Sequence, residues 1–240
     1  MLKIYKEPAG VLQAAAEYFA ETAAEAIADQ GKFTVALSGG SSPKGLYELL
    51  ASELFGSKVD WGKVYFFFGD ERNVPANHPE SNALMVKKAL FDPLNISPEQ
   101  VFAVDTSLEP KKAAAAYQHV IEQHFYPRTA IFDLILLGLG DNSHTASLFP
   151  GTDVLDEKEA GVREVFLPDQ QVYRITVTAP LINQAKHIAF LVFGSSKAEA
   201  VHHILGDERD YRQYPAQLIQ PASGDIIWFL DEAAASLVKH

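Results

Sequence analysis

The sequence predicts an α/β fold: a mostly parallel sheet with helices packed on both of its faces. Segments with helical spacing alternate with short apolar segments along the chain, which is the order expected of β-α-β units. The apolar segments are hydrophobic without interruption, as strands are when both sheet faces are covered. The 240 residues, 48% of them hydrophobic, can bury a sizeable core. No repeat or linker divides them, so we predict a single domain spanning residues 1–240.

Apolar residues at helical spacing predict six helices. The first ends before Gly31, a residue type suited to a helix C-terminus. The second has Ser42 as its N-cap and Pro43 at its first helical position. The helical stretches are residues 11–30, 41–55, 81–91, 111–125, 197–205 and 231–240.

Six short apolar runs predict the strands of the sheet. They are residues 33–37, 64–68, 132–138, 173–180, 187–194 and 225–230. With helices between them, these runs favour a parallel or mostly parallel sheet. The polar stretch 150–171 has neither pattern, and we expect it to form at most a small excursion from the domain.

The composition excludes several classes of function. There are 31 acidic and 20 basic residues, a net charge of −11, which argues against nucleic-acid binding. An anionic ligand must therefore be bound by a local group of donors. The chain has no cysteine, so it has no disulfides and no thiolate metal sites. We recognise neither a signal peptide nor a membrane span, and expect a cytoplasmic protein.

Small and polar residues collect where four of the predicted strands end. In an open α/β sheet, ligands bind beyond the carboxyl ends of the strands. Glycine backbone and hydroxyl groups before a helix N-terminus can bind a phosphate there. The first strand end offers this set in Ser38, Gly39, Gly40 and Ser41. The same residues also suit an ordinary strand-to-helix turn, and both interpretations stay open.

Charged residues stand at three further places where a ligand is expected. Asp70 and Arg72 follow the second strand, where a carboxylate can orient a substrate and a guanidinium can bind an anion. Arg174 lies in an apolar strand, and Lys197 opens a helix where the helix dipole disfavours a cation. A bound phosphate would account for both cations. The alternatives are a solvated charge run, an edge strand for Arg174 and a solvated side chain for Lys197.

His144 lies in the stretch GLGDNSHTASLFPG, directly after the third strand. A dinucleotide-binding motif is rejected, because Ser143 stands where the third glycine is required. An imidazole here can take a proton from water, as general-base hydrolysis requires, although a structural histidine is the alternative. Ser147 is not in a G-x-S-x-G elbow, so we expect no serine nucleophile. We expect no metal, because no H-x-x-x-H pair is present.

Six stretches together resemble the family that unites 6-phosphogluconolactonases with glucosamine-6-phosphate deaminases. They are VALSGGSSPKGLYELL, VYFFFGDERNVPANHPESN, FDLILLGLGDNSHTASLFPG, RITVTAPLIN, FLVFGSSKAEAV and QPASGDIIWFLDEAAA. The resemblance implies a Rossmann-like fold of the NagB/RpiA/CoA-transferase type. It also implies hydrolysis of 6-phospho-D-glucono-1,5-lactone to 6-phospho-D-gluconate in the oxidative pentose phosphate pathway, with no metal and no cofactor.

The resemblance also implies roles for individual residues. His144 corresponds to the general base, and Asp70 to an acidic catalytic residue beside it. The substrate-binding residues are Ser38, Gly39, Gly40, Ser41, Arg72, Asn142, Arg174 and Lys197. The chain departs from the family pattern at Asn142, where many relatives have aspartate, so a role that needs a carboxylate there is in doubt.

Deamination and simple binding are the alternatives to hydrolysis. Deaminases of the family have an aspartate and a glutamate where this chain has Asn142 and Phe149. Their isomerisation needs several acid–base groups, whereas lactone hydrolysis needs one base and a stabilised oxyanion. Hydrolysis is therefore favoured, also over a non-catalytic sugar-phosphate sensor. The expected partner is a small sugar phosphate, with no nucleic acid or membrane, and the expected assembly is a monomer or small homo-oligomer.

Overall fold

The computed structural model describes residues 1–206 and 208–238 of the chain. The described residues form nine strands: β1 (Leu2–Tyr5), β2 (Phe33–Leu37), β3 (Val64–Phe68), β4 (Asp70–Arg72), β5 (Leu134–Leu137), β6 (Val162–Leu167), β7 (Val172–Val177), β8 (His187–Val192) and β9 (Asp225–Asp231). Their α-helices are α1 (Pro8–Gln30), α2 (Ser41–Leu50), α3 (Asn82–Val86), α4 (Asp92–Leu94), α5 (Pro110–Phe125), α6 (Ala179–Ile182) and α7 (Ala198–Leu205).

Six strands form the main sheet, in the order β1-β9-β8-β5-β2-β3, and every neighbouring pair in it is parallel. The chain moves outward from β2 to β3 and then returns to place β5 on the other side of β2. The strand order therefore reverses between β2 and β5. A crevice opens beyond the carboxyl ends of the strands at such a reversal, and ligands bind in it.

Helices cover both faces of this sheet. Residues alternate between the two faces along a strand, so Val35 and Leu37 pack with α1 and α2, while Ala36 packs with α5. The core on the Ala36 side of the sheet also includes residues of α7 and of the strands β5, β8 and β9. Because both faces of β2 and β5 are covered, their sequences are nearly continuous apolar runs.

Five of the six predicted helices are present, with some changed ends. α1 begins earlier, at Pro8, and ends at Gly31, whose positive φ of 80° suits glycine. α2 ends at Leu50, five residues before the predicted end. The stretch 81–91 is irregular, because α3 is followed by a π-helical turn at Lys87–Phe91. Among the described residues, no helix combines the length and the apolar character needed to cross a membrane.

Three strands, β4, β6 and β7, form a second sheet, which the sequence did not predict. In it β7 pairs antiparallel with β4 on one side and with β6 on the other. The alternative that Arg174 lies on an edge strand is therefore wrong, because β7 is the central strand. The excursion predicted for 150–171 contains β6, whose polar residues hid its strand pattern.

The predicted C-terminal helix at 231–240 is wrong for its described part. Asp231 ends β9, and residues 232–237 form turns. The Asp231 carboxylate accepts hydrogen bonds from the backbone N–H groups of Gly194 and Ala234, which fixes a turn where a helix would begin. Residues 239 and 240 of this prediction lie outside the described residues.

Candidate active site

A cleft of about 330 Å³ lies at the carboxyl ends of the main-sheet strands. Nine of the ten predicted site residues line it: Ser38, Gly39, Gly40, Ser41, Asp70, Arg72, His144, Arg174 and Lys197. Asn142 does not line the cleft, and its side chain contacts the imidazole of His144 instead. The roles of these residues stay predictions, but the expected convergence of strand ends is present.

The turn after β2 brings the backbone close to the cleft. Gly40 has a φ of 102°, which favours glycine, and it precedes the N-terminus of α2. A side chain on Gly39 would meet the Asn82 side chain, since a Cβ there would lie 1.9 Å from Oδ1. The Tyr47 hydroxyl bonds both backbone groups of Ser38 and fixes the turn. Unpaired N–H groups of α2 thus border the cleft, as in anion sites.

Asp70 is a buried carboxylate held by neutral donors. Ser147 Oγ donates to its Oδ2 at 2.7 Å, and Asn82 Nδ2 lies 3.3 Å from its Oδ1. Among the described residues, no hydrogen bond joins Asp70 to the His144 imidazole. Asp70 therefore lies in the wall of the cleft without orienting the imidazole directly.

Arg72 and Arg174 are direct neighbours across β4 and β7. Arg72 Nη1 donates to the Glu80 carbonyl, and Arg174 Nη2 donates to Gln170 Oε1 at 2.9 Å. The Nε atoms of both are buried and have no hydrogen-bond partner within the described parts of the chain. Burial, and then the charge of Arg72, lower the pKa of Arg174. Two adjacent guanidinium groups with spare donors form a site that an anion would stabilise.

Lys197 stands directly before α7 and reaches the same cleft. Its Nζ forms an ion pair with the Asp141 carboxylate at 2.5 Å, and only a quarter of its side chain is exposed. The first turn of α7 makes this an unfavourable place for a cation, as predicted from the sequence. Asp141 offsets part of that cost.

The His144 imidazole is packed on three sides. Its ring stacks on Phe149 with 4.0 Å between centroids, and its Nδ1 contacts Asn142 Oδ1. Gly140 lies so close that an added Cβ would be 2.0 Å from Nδ1. Burial, followed by the charges of Lys197 and Arg174, lowers the pKa of His144 to about 4. The imidazole is therefore neutral at pH 7 and can accept a proton.

Comparison with known proteins assigns the family. A family model described as glucosamine-6-phosphate isomerases/6-phosphogluconolactonase matches residues 6–228. The chain belongs to this family. A 6-phosphogluconolactonase from Synechocystis is 42% identical over 220 residues, which cover 90% of this chain and 88% of the relative. The resemblance found in the motifs is confirmed, and so is the prediction of an enzyme of the 6-phosphogluconolactonase group.

Solved structures of the family confirm the α/β fold. The 6-phosphogluconolactonase from Trypanosoma cruzi matches with a TM-score of 0.88 and 29% identity, covering 100% of this chain and 97% of that one. A monomeric glucosamine-6-phosphate deaminase of the NagB superfamily matches with a TM-score of 0.83 at 22% identity, covering 98% and 99%. This second likeness shows the fold alone.

Four contacts around the family site were missed by sequence reasoning. Phe149 stacks on the imidazole, Gln170 bonds Arg174, and Asn82 contacts Asp70. Glu71, a buried carboxylate, accepts hydrogen bonds from the N–H groups at the start of α3 and so holds Asn82 in place. These contacts depend on how the loops and turns fold, so no periodic pattern in the sequence indicates them.

A metal centre has no obvious ligands here. Within residues 1–206 and 208–238, no group of three or more His, Cys, Asp or Glu side chains is arranged to hold a metal ion. The expected absence of a metal or cofactor stays a prediction.

Proposed function

We propose that the chain hydrolyses 6-phospho-D-glucono-1,5-lactone to 6-phospho-D-gluconate, in the oxidative pentose phosphate pathway. One observation carries the proposal: a neutral imidazole shares a single cleft with three cations. The cations suit the phosphate of the substrate, and the imidazole suits the activation of water. The 42% identical relative from Synechocystis, named 6-phosphogluconolactonase, supports the same substrate.

The phosphate is bound in this proposal by Arg72, Arg174 and Lys197 together with the N-terminus of α2. The two arginines have buried donors with no partner in the described residues. Lys197 lines the same cleft, beyond the end of β8. Hydrogen bonds to a charged group contribute roughly 1.5–3 kcal/mol each. The turn at 38–41 adds backbone N–H donors at the same end of the cleft.

His144 acts as general base in the chemical step. Its unprotonated ring nitrogen takes a proton from water while the water oxygen bonds to the C1 carbonyl carbon. The carbonyl becomes an oxyanion, which N–H groups or a guanidinium can stabilise. As the carbonyl re-forms, the bond from C1 to the ring oxygen breaks. The imidazolium returns its proton to that departing oxygen, and the base is regenerated.

Asp70 orients the attacking water in this proposal. Its carboxylate is already bonded to Ser147 and Asn82, which hold it in one direction at the wall of the cleft. A buried, acceptor-only group suits the hydrogens of a water molecule or of a sugar hydroxyl.

Deamination is not supported by the same geometry. Phe149, at the position of the deaminase glutamate, stacks on the imidazole and has no acid–base group. Asn142, at the position of the aspartate, is an amide. The two carboxylates that isomerisation would need are therefore replaced.

The proposal is tested by measuring lactone hydrolysis against the spontaneous background, with phosphorylated and unphosphorylated gluconolactone. His144→Ala should lower kcat by about 10²–10⁴-fold, the range for loss of a general base. The matched control is His119→Ala, an exposed histidine on α5, which should keep full activity. Binding of 6-phosphogluconate without faster hydrolysis would indicate a sensor, and ammonia release from glucosamine 6-phosphate would indicate a deaminase.

The cytoplasmic location and the monomeric or small homo-oligomeric state belong to this proposal as well. Sedimentation of the purified protein measures the assembly directly.

A further inference from the structure

The Asn142 side chain faces the imidazole in a defined orientation. Its Oδ1 lies 2.5 Å from His144 Nδ1, and the backbone N–H of His144 donates to the same oxygen at 3.4 Å. A backbone N–H can only donate, so the Asn142 atom that it faces is the carbonyl oxygen and not the amide nitrogen. A ring nitrogen that faces a carbonyl oxygen must carry the proton. The contact therefore selects the Nδ1–H form of the neutral imidazole.

Packing keeps the other ring nitrogen available. The Nδ1 edge of the ring lies against Gly140, and one face of the ring lies against Phe149. With Nδ1 occupied by Asn142, only Nε2 remains to accept a proton in the cleft. His144 lines the cleft, and a base whose donor nitrogen is anchored in this way is prepared for water activation.

The charges around the imidazole are mostly positive. Lys197, Arg174 and Arg72 disfavour its protonated form, and Asp141 favours it. Asp141 is at the same time paired with Lys197. In the described part of the chain, no carboxylate forms a hydrogen bond with the imidazole.

The geometry points to Asn142 as the positioning residue of His144. Its neutral amide keeps the proton on Nδ1 and Nε2 open, so that the base stays unprotonated at more acidic pH than it would beside a carboxylate. The inference rests on the proposed function for its catalytic part.

Asparagine and aspartate have nearly the same shape at position 142 but differ in charge. An amide and a carboxylate accept the same Nδ1–H hydrogen bond, but only the carboxylate attracts the positive charge of an imidazolium. The amide therefore orients the ring without raising its pKa. The cost is a weaker base at neutral pH, and the gain is a larger unprotonated fraction at acidic pH.

The first test is nitrogen-15 NMR of the free protein at pH 7, with the His144 signals assigned by comparison with His144→Gln. We expect a protonated Nδ1 and an unprotonated Nε2. Asn142→Leu, which keeps the size but removes the acceptor, should lose this preference. Its kcat should also fall, approaching the loss of about 10²–10⁴-fold that is expected when the base itself is removed.

The second test is the pH profile of kcat/KM and the NMR titration of His144. Asn142→Asp should retain the Nδ1–H form while both the acidic limb and the titration midpoint move up by about 1–2 pH units. The matched charge control is Asn95→Asp, an exposed residue outside the cleft, which should leave both unchanged.

An Nε2–H form in the wild type, or an unmoved midpoint in Asn142→Asp, overturns the inference. The NMR measurements need no substrate, so they separate it from the proposed function. If the Nδ1–H form and the shifted midpoint are found in a protein without lactonase activity, the proposed function fails and the positioning of His144 by Asn142 stands.

Discussion

Gly140 offers a sharp test of whether the place of the imidazole matters for turnover. In Gly140→Ala the new Cβ would lie 2.0 Å from His144 Nδ1 and 2.1 Å from Cε1. Ordinary contact begins near 3.4 Å, so the ring must move back by at least 1.4 Å. Gly140 is not among the glycines with positive φ, so alanine fits its backbone. The change therefore acts on the ring and not on the loop.

The size of the effect follows from this displacement. Misplacing a reacting group by 1 Å can cost about 10²-fold in rate, so kcat should fall by about 10²-fold or more. Since the methyl group touches the imidazole and not the cations, affinity for 6-phosphogluconate should stay close to that of the wild type. Lactone hydrolysis over the spontaneous background gives kcat, and calorimetric titration gives the affinity.

A second variant in the same loop controls for a general disturbance. In Gly138→Ala the nearest atom to the new Cβ is Ser38 Oγ, at 3.9 Å, which is ordinary contact. This variant should lose much less activity than Gly140→Ala. If Gly140→Ala folds and keeps a kcat close to that of the wild type, the packing of the imidazole against Gly140 is irrelevant to catalysis and the reasoning is refuted.

Four further outcomes are expected. Lys197→Ala should raise KM for the phosphorylated lactone more than it lowers kcat, because in the proposal Lys197 binds the phosphate; an equal loss with unphosphorylated lactone would contradict this. Arg174→Gln should reduce the stabilisation by 6-phosphogluconate, which for a ligand at 100 times its Kd is about 2.7 kcal/mol and is read from thermal unfolding. Ser143→Gly should raise the free energy of unfolding in urea by up to about 1 kcal/mol, because Ser143 has a left-handed φ of 64°. Burial, followed by the charge of Lys32, lowers the pKa of His124 to about 4. Between about pH 6.5 and 4 the unfolded chain therefore binds more protons than the folded one, and stability falls as the pH falls. Between pH 7 and 5, the free energy of unfolding of His124→Gln should fall by about 1 kcal/mol less than that of the wild type in the same urea assay, after allowance for the partial exposure of His124.

The main sheet is predictable from the sequence because burial on both faces leaves a simple pattern. β2, β3, β5, β8 and β9 are largely apolar, and each was found at its predicted place. The second sheet has no such pattern. β4 is three charged residues long, and β6 mixes arginine and glutamate with apolar residues. Their strand character comes from pairing with β7, which is a tertiary contact.

The site is predictable to the extent that topology fixes it. Strand ends meet at one edge of a parallel sheet, so residues after β2, β3, β5 and β8 could be grouped without coordinates. The partners of these residues could not be found in this way. Gln170 reaches Arg174 from the β6–β7 turn, and the contact of Asn142 with His144 depends on loop geometry. Both involve single side chains with no repeating pattern.

The charges in the cleft explain why a protein with a net charge of −11 is expected to bind an anion. Arg72 and Arg174 are held side by side, although burial and mutual repulsion disfavour the charged form of Arg174. Such a pair of adjacent cations lowers stability, and destabilising arrangements of this kind are expected at functional sites. A bound phosphate dianion would relieve the repulsion. It would also offset the cations that lower the pKa of His144, and so make the imidazole a stronger base once substrate is bound. In the proposed mechanism the phosphate would therefore contribute to turnover as well as to affinity, because part of its binding energy would be used in the chemical step.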